Sequence, residues 1–317
     1  MKRVLLLALV VFLAWSVPSS AKTYRIRNVG KYPNFLALSP DGSKAYVTSF
    51  ETAEVLEVDL VKKALDRRLS VGGSPLGIAV ADAGRTLLVA CKDSGTVAVI
   101  DVASFRVEAN IKVTGGPNGV TISPRGYRAY VTVFGRTKEG TLSIIDLRDR
   151  AVVATIKMGI SPIAATVSPA TERVYVVNGG TNEVWEVDPE RQSVTKKIPV
   201  GEAPDGIAIT PDGKRLFVSN SRTNNISVID AQSGKVLVTI PVGKKPFGIA
   251  VTRDGKWVLV VNTESRTLSM LPADLSSLEI QTFEVEKGPV DLKITPDDKS
   301  VIVVNEQSHS LLIIDLP

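Results

Sequence analysis

The chain has 317 residues, 44% of them hydrophobic and 5% aromatic, with 38 basic against 33 acidic side chains and a formal charge of +5. So weak an excess lacks the concentrated basic stripe of a dedicated nucleic-acid binder, and a lone cysteine, Cys91, excludes an intrachain disulfide framework. A lone histidine, His309, excludes a multi-histidine metal centre and a two-histidine proton relay.

In chain order, Lys2 and Arg3 precede the apolar run Val4 to Val17, and Ser19, Ser20 and Ala21 supply small residues for cleavage after Ala21. This is the layout of a secretory signal peptide. The run is shorter than the ~20 apolar residues a spanning helix needs. The expected organisation is therefore a signal peptide over 1–21 and one domain over 22–317, monomeric, placed in the periplasm or at the cell surface, with no integral span. Without the leader's two basic residues the charge falls to +3.

From here the chain repeats itself. A proline recurs as Pro33, Pro75, Pro117, Pro162, Pro204, Pro246 and Pro289, at spacings of 42, 42, 45, 42, 42 and 43 residues. A Tyr-Val-Thr-Asn-like core follows each time, from Tyr46-Val47-Thr48-Ser49 through Tyr175-Val176-Val177-Asn178 to Ile302-Val303-Val304-Asn305. The clearest unit, Val200 to Ile240, reads as four short strands. Strand a is Gly206 to Thr210, leaving through the turn Pro211-Asp212-Gly213, and strand b is Arg215 to Ser219. Strand c is Ile226 to Ile229, ended by Asp230, and strand d runs from Lys235 to Ile240. The β-branched residues and runs of about five favour strands over helices. A period of about 40–45 residues with four strands per unit is the signature of a propeller. The last unit stops at the end of its strand c, and Tyr24 to Asn28 stands where a strand d belongs, so the N-terminal strand is expected to complete the last blade and hide its open edge.

These residues resemble the YVTN family of seven-bladed β-propellers over essentially the whole chain after about residue 23. The resemblance implies an all-β fold and, since such propellers include envelope proteins and partners of redox enzymes, a binding or accessory role. Departures are local. Blade two has Asp82-Ala83-Gly84 at the a-to-b turn and Cys91 in place of Asn, blade six has Pro272 in place of the strand-c Asp, and blade seven has Asp291 where the others mostly carry Gly.

In a four-stranded up-and-down blade the d-to-a and b-to-c loops share one face, and by analogy with the fold this is the face expected to bind. Residues there that the repeat does not explain are Tyr32, Phe50, Phe134, Arg136, Asp205, Arg222, Lys245, Phe247, Asp291 and His309. Phe134 opens an enlarged b-to-c loop that runs to Gly140, and Arg222, Lys244, Lys245 and Arg266 are expected close together at blades five and six. Aromatic and cationic side chains together can stack on bases, sugars or a partner's side chains. Asn34, Asn118, Asp205 and Asp291 follow the landmark prolines and are weak candidates for a hard cation at the channel mouth. The bland alternative is that they satisfy loop amides and water. Strand-c aspartates such as Asp59, Asp101 and Asp230 recur with the period and belong to turns. The sequence holds no CxxCH, Walker loop, GxSxG or HExxH.

The favoured reading is a non-catalytic exported propeller that binds a protein, glycan or nucleic acid on this face and needs no cofactor. The alternatives are a lactonase-like hydrolase with a channel-bound metal, and a carrier for a tetrapyrrole or quinone with His309 as ligand.

Overall fold

A computed structural model describes residues 15–16, 21–135 and 139–317. Seven sheets surround a central channel, and in each the strands lie in the order a, b, c, d from the channel outward, every neighbour antiparallel. The sixth blade also carries the two-residue strand Trp15–Ser16, parallel to its outer edge. The unit read from sequence takes the form Pro204–Ile209, Arg215–Asn220, Asn225–Asp230 and Lys235–Pro241, so strand a begins at the landmark proline itself. Among the described residues the only helical turn is Asp82–Gly84 of blade two, where the Pro-Asp-Gly sequence is missing. No helix there is long and apolar enough to cross a membrane.

Thr23–Arg27 pairs antiparallel with Ser310–Asp315, the strand c of the last blade, with Ile26 opposite Leu311. Ile26 and Leu311 then bury themselves in one apolar cluster with Leu36, Val47 and Leu56 of blade one. Ring closure thus joins the two ends of the chain and the first and last blades in one core.

Blades touch through two recurring devices. Near the channel a strand-a glycine allows close approach: a Cβ on Gly77 would stand 2.6 Å from the carbonyl oxygen of Asn118, and one on Gly119 2.7 Å from that of Ile163. Further out, buried carboxylates clasp adjacent blades. Glu57, with no exposed side-chain surface, holds Lys44 at 2.5 Å and also Arg67, whose guanidinium bonds the Val102 and Ala103 carbonyls of blade two. Glu186 of blade four does the same with Lys196, which donates to the Gln232 carbonyl of blade five. Burial opposes ionisation of Glu57, but the two cations outweigh it and hold its carboxyl below the usual range.

The strand-c aspartates serve their turns. Asp59 accepts the Val61 and Lys62 amides at 3.0 and 2.8 Å, and Asp230 accepts that of Ser233 at 2.7 Å. The enlarged blade-three loop is partly taken up by longer strands, Arg128–Phe134 and Glu139–Asp146.

Deleting residues 23–27 removes the Ile26 anchor and bares the edge of strand c, and lowers stability by on the order of 3–5 kcal/mol. Urea unfolding of the full and shortened chains measures it; an unchanged midpoint contradicts this closure.

Candidate functional site

The d-to-a and b-to-c loops hold shapes that few side chains adopt freely. The residue before the landmark proline has positive φ in Tyr32, Ser74, Ser161, Ala203, Lys245 and Gly288. Proline disfavours the helical region for its predecessor and left-handed backbone is costly outside glycine, so something must hold these residues. The b-to-c loop supplies it. Asn182 Oδ1 accepts the Ala203 amide at 2.9 Å and Asn224 Oδ1 accepts that of Lys245 at 2.9 Å, each clasping its own blade to the next.

His309 occupies the same position. Its Nδ1 accepts the Tyr32 amide at 3.2 Å, and the two rings meet edge to face with centroids 5.6 Å apart. The His309 carbonyl accepts the Val29 amide at 3.2 Å as well. The only histidine of the chain is thus the clasp between the last blade and the first.

Asp291 makes a second link across this seam. Blade seven carries it where blades two and three have glycine, and Oδ2 accepts the Leu36 amide of blade one at 3.0 Å while Lys293 Nζ lies 3.2 Å from Oδ1. Asn118 Nδ2 donates to the Ile163 carbonyl at 2.8 Å, and Asn34 Nδ2 meets Glu306 Oε1 at 3.5 Å. Three of the four weak cation candidates are therefore engaged with protein partners. Among the described residues no three His, Cys, Asp or Glu side chains gather as a metal site.

The channel holds a cavity of about 280 Å³ to which every strand a contributes, with Phe35, Ile163, Asp205, Phe247 and Asp291 on its wall. Asp205 is pushed above the ordinary carboxylate range by burial, against the pull of Ser221 and Lys245. Glu306 is raised in the same way, against Lys245 and His309. Lys245 also lies 4.0 Å from Glu264.

The aromatic candidates divide. Phe247 packs against the cores on both sides of blade seven, and Phe134 is half-buried with the Lys92 ammonium 5.6 Å from its ring. Tyr32 and Phe50 remain open, at 46% and 38% exposure, and the Phe50 amide donates to the Tyr32 carbonyl at 3.2 Å, so they stand side by side on blade one. Arg222 is exposed, and Arg136 lies outside the described residues. Cys91 is fully buried, and burial pushes its thiol up to about 11.

Of the four cations expected together at blades five and six, Arg266 follows Ser265, whose hydroxyl accepts the Lys244 amide at 2.7 Å. Arg266 also lines a recess at the rim where blade six meets blade seven, with Arg25, Arg27 and Lys287. Arg25 and Arg27 did not stand out in the sequence because they belong to the closing strand; the period of two that puts both on one side was the available signal.

With seven four-stranded blades and a closing N-terminal strand established, the comparisons agree. The model of the YNCE-like beta-propeller family matches residues 14–211 and 155–256. The chain belongs to that family. No curated protein matches it. Among solved structures, a chain of Kuenenia stuttgartiensis hydrazine synthase is similar with a TM-score of 0.82 and 22% identity, over 90% of this chain and 96% of that one. At that identity the likeness concerns the fold.

Two tests follow from this geometry. Asparagine restores the acceptor, so His309→Asn keeps the stability of the parent whereas His309→Ala lowers it by about 1 kcal/mol; equal losses show a need for the imidazole beyond the clasp. For Asp205 the folded carboxyl holds its proton more tightly than the unfolded one. Its favourable contribution is full below about pH 4 and is lost as pH rises through the elevated pKa. The melting temperature of Asp205→Asn relative to the parent therefore climbs between pH 4 and 8, and a flat difference contradicts the burial argument.

Proposed function

We propose that this member of the YNCE-like family is an exported, non-catalytic binding propeller whose partner, a protein, glycan or nucleic acid, is engaged on the d-to-a and b-to-c loop face beside the closing seam. The observation that carries the reading is the exposed pair Tyr32 and Phe50. The repeat does not require either ring, and neither caps a blade core. Exposed neighbouring aromatics of this kind offer stacking and apolar contact at low entropic cost.

The state of the reactive groups supports a role without chemistry of its own. His309 is committed to the Tyr32 amide, and the Cys91 thiol is buried with its pKa raised, so neither is poised as base or nucleophile. Export to the periplasm or cell surface rests on the basic, apolar and small-residue pattern of residues 2–21.

Affinity capture from an envelope extract tests the proposal, with the parent chain, a Tyr32→Ala/Phe50→Ala chain and an Asp212→Arg chain altered on the opposite face. Loss of the captured partner in the aromatic double variant alone, by tenfold or more, is the expected result. Capture that survives it, or that fails in Asp212→Arg instead, places the binding surface elsewhere. A nucleic-acid partner would also weaken steeply with salt and in Arg222→Ala and Lys245→Ala.

A further inference from the structure

The recess at the rim between blades six and seven has a volume of about 510 Å³ and is lined by Arg25, Arg27, Arg266 and Lys287 against a single carboxylate, Glu286. That carboxylate is already used. Arg25 Nε lies 2.5 Å from Glu286 Oε1, and the Ser310 hydroxyl donates to Oε2. Among the described residues, Arg27, Arg266 and Lys287 have no acidic side chain within 4.0 Å.

Comparison of the seven blades shows that this charge is specific to one place. Strand pairing matches Arg25 and Arg27 with Arg68 and Ser70 of blade one, Asn110 and Lys112 of blade two, and Thr155 and Lys157 of blade three. In blades four, five and six the matching residues are Lys197 and Pro199, Thr239 and Pro241, and Thr282 and Glu284. The closing strand alone has a cation at both positions.

The loop opposite departs as well. Arg266 has the positive φ of 56° found at Asn182, Asn224 and His309, the residues that accept the next blade's amide. A guanidinium cannot accept, so Arg266 places a positive charge where those three residues clasp the next blade and where blades one and two carry Ala53 and Gly95. The lysine is held in place by its neighbour: Ser308 Oγ accepts the Lys287 amide at 3.0 Å and donates to the Lys287 carbonyl at 3.3 Å.

We propose that this recess is an oxyanion site that takes a phosphate group carried by a small organic ligand. Three cations without a protein counter-charge repel one another, and a dianionic phosphate removes that repulsion while accepting from the planar donor forks of two arginines. The recess lies within the size range of ligand pockets and leaves room for a sugar-sized group beyond the phosphate. Because Arg25 and Arg27 come from the closing strand, the site exists only in the closed ring, and an occupant stabilises closure. The proposal extends the reading of this face as the ligand-bearing one, but uses different residues.

The test is calorimetric titration and thermal melting of the full chain with inorganic pyrophosphate and with glucose 1-phosphate, at constant ionic strength set with chloride. Saturable binding and a rise in melting temperature are expected with both probes. Affinity should fall at least tenfold in Arg27→Ala/Arg266→Ala and stay within twofold in Arg222→Ala on the same face. All seven positions altered in these tests and in those of the proposed function are exposed, and melting curves without ligand confirm folding. Absence of saturable binding overturns the proposal, as does equal binding by the arginine double variant, which marks an adventitious ion only. Tyr32→Ala/Phe50→Ala leaves pyrophosphate binding intact, so loss of partner capture and loss of phosphate binding separate the two readings.

Discussion

The pairing of Thr23–Arg27 with Ser310–Asp315 is the constraint on which the rest of the molecule depends. Every other blade is a local meander whose four strands follow one another in the chain, while this one joins residues almost three hundred positions apart. Such a contact is slow to form and costly in loop entropy, and the molecule concentrates specific interactions around it. The Ile26 side chain, the His309 acceptor for Tyr32 and the Asp291 acceptor for Leu36 all act across the same seam.

That concentration explains why residues at the closure depart from the repeat. At two other seams an asparagine clasps the next blade, and in blades two and three a glycine lets two inner strands approach. At the seam a histidine and an aspartate stand in those positions and bond across it. Departures from the repeat are thus of two kinds. Some close the ring, as His309 and Asp291 do, and some leave a side chain open on this face, as Tyr32 and Phe50 do, or without an acidic side chain within 4.0 Å among the described residues, as Arg27 and Arg266 do.

Much of the fold was legible in the sequence because each blade is local: proline, turn and β-branched run recur with their period, and chain order gives the sheet order. The closing strand was legible for the same reason, since the last unit lacked a strand d that residues 24–28 could supply. The candidate site was less so. Whether Phe247 faces solvent or core depends on how neighbouring blades pack, and the acceptor role of His309 depends on the left-handed backbone of Tyr32, which no residue at that position announces. The basic recess was hidden because its cations come from opposite ends of the chain, and meet only when the ring closes.

Binding is thus tied to closure: the same strand that completes the last blade brings two arginines to the recess. Amide hydrogen exchange over 23–27 and 310–315, with and without inorganic pyrophosphate, tests this most directly. Both segments should exchange through one shared opening and slow together when the oxyanion is present. Independent exchange of the two strands, or protection by pyrophosphate that appears elsewhere in the ring and spares this seam, would contradict it.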